Sequence, residues 1–362
     1  MVQVRTHHRR VNAGAAPVSR IVRVHPAGPA PRRRGFTLLE LLIVIGLIAA
    51  LAAIILPAVQ GAFSRGRDAE AAQQFRDLQT ALDSFKAKYG EYPPSNIMLF
   101  ENPADWAAAP QELAKLVRLW PNYTPAVTDF NGDGDAADSP GSGGSPLYLD
   151  GAECLAFFLG GMMVTNIVDQ TGALQPGATA GTLPNQWSPQ GFSGNPVNPF
   201  ERGSQGRIEF YDFSSVRLVD GNEASDAATA AASMPGTDGM PSMLDSYPEQ
   251  RTPIAYLKAS PLGTYAVAAS SAGYDTAVGA PTTAVYSVVP QDVNNASLSS
   301  AYGNALGEPF AKKSYQLISP GIDGVFGAGG VWSAEDGFPS NSSNRAQFEG
   351  DNVTSFSNGR LR

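Results

Sequence analysis

The sequence predicts an α+β fold: one long N-terminal α-helix, its first half embedded in a membrane, packed on a small antiparallel β-sheet that carries long loop insertions. Three observations lead there. Phe36–Leu56 is a run of 21 residues whose only charge is Glu40. Phe75, Leu78, Leu82, Phe85 and Tyr89 then step by three and four, the spacing of one helix face. Beyond Pro93-Pro94 the pattern changes to short alternating runs between stretches rich in Gly, Ala, Ser and Asn.

Charge is divided unevenly along the 362 residues. Residues 1–35 hold eight Arg and no Asp or Glu, so this leader is +8, while the whole chain is −8 and everything from Phe36 onward is therefore −16. The three histidines, His7, His8 and His25, all lie in the leader. Without it the chain has no imidazole, which excludes Ser-His-Asp and Cys-His catalysis, His-ligated zinc and His general bases. Cys154 is the one cysteine, so no intrachain disulfide, CxxC pair or thiolate cluster is available. An acidic body also lacks the basic face that nucleic acid requires. These exclusions point away from an enzyme and away from a nucleic-acid binder.

The first element is the apolar run itself. At about 1.5 Å per residue it spans roughly 30 Å, a bilayer core. The basic leader favours the cytoplasmic side, which places the long C-terminal part across the membrane. A secretory signal cleaved near Ala50–Ala53, a twin-arginine signal at Arg33-Arg34 and a plain signal anchor each account for basic-then-apolar order. None accounts for Glu40, because a carboxylate within an apolar span costs about 2.5–3.5 kcal/mol and needs a partner. Cleavage after Gly35 would create one: the α-amino group of Phe36, cationic at pH 7 with a pKa of about 8, four residues from Glu40. Between parallel helices, Glu40 of one subunit and the amine of the next would form a directional contact that favours assembly.

The run Arg-Gly-Phe-Thr-Leu-Leu-Glu-Leu-Leu-Ile-Val-Ile (34–45) resembles the class III signal of type IV pilins and type II secretion pseudopilins. The resemblance implies that a prepilin peptidase cuts after Gly35 and methylates the new N-terminal Phe36. It also implies that Thr37, Glu40 and Pro57 belong to the assembly segment, Pro57 standing where many pilins kink. The 35-residue leader is longer than in most of the family, a departure that an upstream start at Met1 would explain. On this reading residues 1–35 are leader, 36–57 the transmembrane and assembly helix, 58–92 its amphipathic continuation, and 93–362 an extracytoplasmic globular domain.

The amphipathic stretch carries Arg76, Asp77, Asp83, Lys86 and Lys88 opposite its apolar stripe, and Gly90 with Pro93-Pro94 stops it. From Phe36 to Tyr89 the helix would be 54 residues, roughly 80 Å if unbroken, with a kink or loosened turn at Pro57. The segment 81–95 (ALDSFKAKYGEYPPS) resembles the end of the pseudopilin long helix, which favours secretion pseudopilins over adhesive pilins. Strands are expected at 207–213, 216–219, 253–258, 284–289 and 314–319, with 221–244 and 259–309 as surface insertions. Asp150-x-x-Glu153 reads as a capping box for a short helix that ends at Gly160-Gly161, with Cys154 buried inside it.

Two loops are candidates for calcium. In DFNGDGDAAD (129–138), Asp129, Asn131, Asp133 and Asp135 alternate, with Gly134 at the sixth place of an EF-hand-like loop. Pro140 replaces the bidentate Glu of that pattern, Asp138 is its substitute two residues early, and an Asx-rich turn without metal is the competing reading. The run Ser319-x-Gly321-x-Asp323-Gly324 is similar to the C-terminal loop of the major type II pseudopilin, which implies a structural calcium held by Asp323 and a downstream acid, Asp351 ahead of Asp336. The competing reading is a Gly-rich hairpin in which Asp caps a turn. Either site would bind weakly, at about 10⁻⁴–10⁻³ M, as extracellular modules do.

The expected function is a structural, non-enzymatic subunit of a type II secretion pseudopilus. Its partners would be prepilin peptidase, copies of itself and other pseudopilins, the inner-membrane assembly platform and the membrane. It would cross the inner membrane once, with its C-terminal domain periplasmic, before entering the filament. A type IV pilus or minor or competence pilin subunit is the alternative within the class. A membrane-anchored periplasmic enzyme or binding protein is the alternative outside it.

Overall fold

The computed structural model describes residues 36–136, 146–213, 216–220, 239–247, 251–275, 280–287, 289–290, 298, 300–339, 349–357 and 359–361, with 268–287 described by backbone only. The chain forms two units, one ending at Val59 and the other running from Gln60 to Arg362. Helix α1, Leu38–Tyr89, contributes its first part to one unit and the rest to the other. Thr37 starts it: its Oγ1 accepts the Glu40 N–H at 3.1 Å, satisfying a donor that the first turn leaves open. Gly90 closes it by donating its N–H to the Lys86 carbonyl at 2.7 Å, and Lys86 and Lys88 in the last turn complement the helix dipole. The helical assignment runs through Pro57 without a break.

In the second unit, the stripe of α1 is core. Phe75, Leu78, Leu82 and Phe85 are buried, whereas Arg76, Asp77, Asp83, Lys86 and Lys88 are exposed. Each such buried side chain contributes on the order of 1.5–3 kcal/mol. The partners of the stripe include α3, Gly151–Gly160, whose Phe158 meets Phe85 edge-on at 6.1 Å. Phe210 meets the same ring at 5.1 Å. Helix α2, Pro110–Leu119, has Pro at its first turn and is followed by Trp120, which packs on Tyr89, Phe158, Phe192 and Phe200.

The strands are short. β1 (Ile97–Leu99) pairs antiparallel with β2 (Leu147–Leu149), β3 (Met163–Thr165) with β4 (Trp187–Pro189), and β5 (Leu218–Asp220) with β6 (Pro241–Met243). The main sheet contains β7 (Ala255–Lys258), β11 (Tyr315–Ser319), β13 (Val353–Thr354) and β14 (Gly359–Arg360), antiparallel throughout, in the order β14-β13-β11-β7. A hairpin joins β8 (Ala268–Asp275) to β9 (Ala280–Ser287), and β10 (Ser300–Gly303) lies parallel to β12 (Gly329–Val331).

The main sheet separates two cores. Tyr256, Tyr315 and Leu317 point into the cluster built on α1 and α3, while Ala255, Leu257 and Ile318 join Val289, Leu298, Tyr302, Phe326 and Trp332 on the other face. This corrects the reading of 259–309 as a surface insertion, because Val289, Leu298 and Tyr302 are buried against the sheet. A sheet with apolar residues on both faces needs two covers, and α1 supplies one.

Two strand expectations shift. Residues 207–213 alternate in sequence yet form only an isolated bridge, Ile208 to Phe192, since no strand among the described residues lies alongside and Phe210 packs on the α1 core. β5 and β9 lie two and four residues away from the starts expected of them, at Leu218 and Ala280. The capped helix at 150–160 is present: Asp150 accepts N–H bonds from Ala152 and Glu153, and Glu153 accepts that of Asp150 at 2.8 Å.

Candidate functional site

The first candidate is the N-terminal half of α1. Among the described residues one helical stretch is long and apolar enough to cross a membrane, Leu38–Leu56, and every side chain of it is exposed. Phe36, Leu38 and Ile54 are more than 75% exposed. Such a surface is unstable in water and needs lipid or other helices around it. Glu40 is the only charge within it, and its carboxylate has no ion-pair partner among the described residues. Thr37 and Glu40 stand in a Thr-x-x-Glu arrangement in which Thr37 caps the helix, leaving the Glu40 carboxylate available for a contact outside the helix. Gly35 lies outside the described residues. Pro57 lies within the helix.

The second candidate is the acidic loop at 129–135. Asp129 accepts the N–H groups of Gly132 at 2.6 Å and Gly134 at 3.1 Å, Asn131 that of Asp133, and Asp133 that of Asp135 at 2.7 Å. The alternation seen in sequence is thus a chain of side-chain-to-backbone turns, and Gly134, at φ +83, supplies the left-handed corner. Asn131 and Asp133 are buried. The loop is anchored from outside by Arg202, whose Nη2 donates to the Asp129 carbonyl at 2.8 Å, and by Thr165, whose hydroxyl donates to the Gly132 carbonyl at 2.6 Å. Asp138 and Pro140, the expected closing positions, lie outside the described residues.

The third candidate joins 319–328 to 349–352. The Asp351 carboxylate accepts the N–H of Ile322 at 2.7 Å and of Asp323 at 3.2 Å, and its Oδ1 is buried with no hydrogen-bond partner among the described residues. Gly321, at φ +72, lies so close to Asp351 that a Cβ there would meet its carboxyl carbon at 2.6 Å. Asp323 accepts the Val325 N–H at 2.9 Å. Asp336 lies elsewhere, its N–H donated to Ser333 Oγ.

Three groups that sequence reading missed complete the junction. Glu349, buried, accepts from the Ala328 N–H and the Tyr302 hydroxyl. Asn352 donates to the Phe326 carbonyl and to Tyr302. The third, buried Asp245, accepts from the Ser319 hydroxyl. The run Glu-Gly-Asp-Asn at 349–352 was the available signal: polar side chains packed immediately before the Val-Thr of β13.

Both loops offer oxygen donors suited to a hard cation. No group of three or more His, Cys, Asp or Glu side chains is arranged to hold a metal ion among the described residues. A cation at the third candidate would therefore use Asp323 and Asp351 together with backbone carbonyls. Cys154 is buried in α3, and burial pushes its thiol well above the usual range, a setting for packing rather than reactivity.

Residues 30–56 match the prokaryotic N-terminal methylation motif. Type II secretion system core protein G of Escherichia coli K12 is 30% identical over 103 residues, 28% of this chain and 61% of that protein. The fimbrial protein of Neisseria meningitidis Z2491 is 38% identical over 64 residues, 18% of this chain and 38% of that protein. The type IV major pilin protein PilA of Myxococcus xanthus is 42% identical over 62 residues, 17% of this chain and 28% of that protein. The chain thus spans about three fifths or less of the length of these relatives. No solved structure matches it.

Proposed function

We infer, from a start that carries the prepilin methylation motif of type IV pilins and type II secretion pseudopilins, that this chain is a structural filament subunit of a type II secretion pseudopilus. The single observation that carries this reading is Glu40: one carboxylate on an otherwise apolar, wholly exposed helix surface, four residues after Phe36 and within the matched motif. Prepilin peptidase would cleave after Gly35 and methylate Phe36. Glu40 of one subunit would then neutralise the Phe36 amine of its neighbour while the apolar surfaces of Leu38–Leu56 pack together. A head-to-tail contact of this kind does not close on itself and so extends a filament from the inner membrane.

The role is one of assembly rather than catalysis. Similarity to a neisserial fimbrial protein and to PilA supports a second reading, a type IV pilus subunit, built on the same contact. Deleting the gene separates the two: loss of protein secretion with normal surface pili supports the pseudopilus, and the reverse supports the pilus.

Calcium belongs to this reading as a structural clamp at Asp323 and Asp351. The buried Oδ1 of Asp351, which has no hydrogen-bond partner among the described residues, supports it. For Asp129, Asn131, Asp133 and Asp135 the same proposal rests on donor chemistry alone.

Mass spectrometry of the N-terminal peptide of the membrane-associated protein tests processing. N-methyl-Phe36 is the expected terminus. An intact leader, or a terminus near Ala53, would overturn the filament reading in favour of an anchored periplasmic protein.

A further inference from the structure

Arg202, which anchors the acidic loop at 129–135, shares a cavity with Arg207. Arg202 donates Nη1 to the Met163 carbonyl and Nη2 to that of Asp129. Arg207 donates Nε to the Gln190 carbonyl at 2.8 Å, Nη2 to that of Gly191 at 2.7 Å, and Nη1 to the Glu201 carbonyl and Ser204 Oγ. All these acceptors are neutral. Neither arginine forms an ion pair among the described residues. The Arg202 Nε is buried and has no hydrogen-bond partner among them.

Burial lowers the pKa of both guanidinium groups, and the charge of Arg202 lowers that of Arg207 further. Asp129, Glu101 and Asp169 temper Arg202, and Glu201 tempers Arg207, without closing on either as a salt bridge. Both arginines line one cavity of about 110 Å³, rimmed by the exposed residues Gln170, Thr171, Gly203 and Gln205.

The carbonyl bonds account for the arginines as staples of the surrounding loops. They do not account for two cations on one cavity with guanidinium N–H groups beyond those bonded. A partly buried charge without a counter-ion is unfavourable, and an oxyanion matches the planar fork of a guanidinium better than water does. We propose that this cavity binds a small oxyanion, a phosphate- or carboxylate-type group, between Arg202 and Arg207. The group is either a free inorganic anion or the carboxylate of an acidic side chain. Acidic side chains are plentiful on a chain with 33 Asp and Glu.

The test follows the unfolding midpoint of the full chain in nonionic detergent by tryptophan fluorescence. Phosphate and acetate are titrated separately at an ionic strength held constant with chloride. A saturable rise of about 2–4 °C at tenfold excess over the dissociation constant is expected with phosphate. A matching response to acetate assigns the site to carboxylates, and a response to phosphate alone assigns it to inorganic anions. Gln205→Glu places a carboxylate on the rim without disturbing a buried group, and the response should be lost in this variant. A shift no larger than that of chloride, or a full response retained in Gln205→Glu, overturns the proposal.

Discussion

Asp150 caps α3 with its side chain and lies half-buried beside Tyr148, Glu153 and Cys154. Burial pushes its carboxyl up to about 6, against the lowering effect of the N–H bonds from Glu153 and Ala152. The folded state therefore holds the Asp150 proton more tightly than the unfolded chain does. The stability this confers is fully present below the unfolded pKa of about 4 and is lost as pH rises through about 6. Asp150→Asn keeps an oxygen acceptor for the cap and removes the charge. Its urea midpoint should gain on the wild type between pH 4 and pH 7, and an unchanged difference across that window would refute the assignment. The box itself was legible in sequence as Asp-x-x-Glu before an apolar run. The raised pKa was not, because it depends on what packs over the cap.

At the scale of elements, α1 shows how far periodicity reaches. Steps of three and four named Phe75, Leu78, Leu82 and Phe85 as one face, and all four are buried. Phe85 touches α3 through Phe158 and the 210 segment through Phe210, so Phe85→Ala leaves a cavity shared by three pieces of chain. A loss of about 3–5 kcal/mol is expected in denaturant unfolding. Lys88→Ala on the exposed face should stay within about 0.5 kcal/mol. The 207–213 segment shows where periodicity stops. Its alternation is as clear as that of β11, but β11 lies between β7 and β13, whereas Ile208 meets only Phe192. Strand formation needs a neighbour, and the neighbour is not a local property.

Across the whole second unit, chain segments far apart in sequence meet at the C-terminal junction. Arg360 on β14 pairs with Asp68 on α1 at 2.5 Å, and the Tyr247 hydroxyl donates to the same carboxylate at 3.1 Å. Thr252 donates to the Gly324 carbonyl, and Glu349, Asp351 and Asn352 bind the 319–328 loop. A cation at Asp323 and Asp351 would bind only once these segments have come together, so it would stabilise the folded unit as any native-state ligand does. Calcium at millimolar concentration should raise the thermal midpoint of the wild type, and chelator should reverse the rise. Asp323→Ala and Asp351→Ala should each abolish the calcium response. A response unchanged in both variants removes these residues from the ligand set.

The sequence by itself determined the features carried by contiguous residues: the methylation motif at 30–56, the lone Glu40 in an apolar run, the stripe of α1 and the cap of α3. Each is a local pattern whose physics acts within a few turns of helix. Only the tertiary structure decided that Val289, Leu298 and Tyr302 cover the back of the main sheet, and that Glu349 and Asn352 stitch a loop more than twenty residues upstream. It alone brought Arg202 and Arg207 to one cavity, with no carboxylate among the described residues in an ion pair with either. Those outcomes depend on which distant segments share a space, and burial there sets both the hydrogen-bond partners and the charge each site can hold.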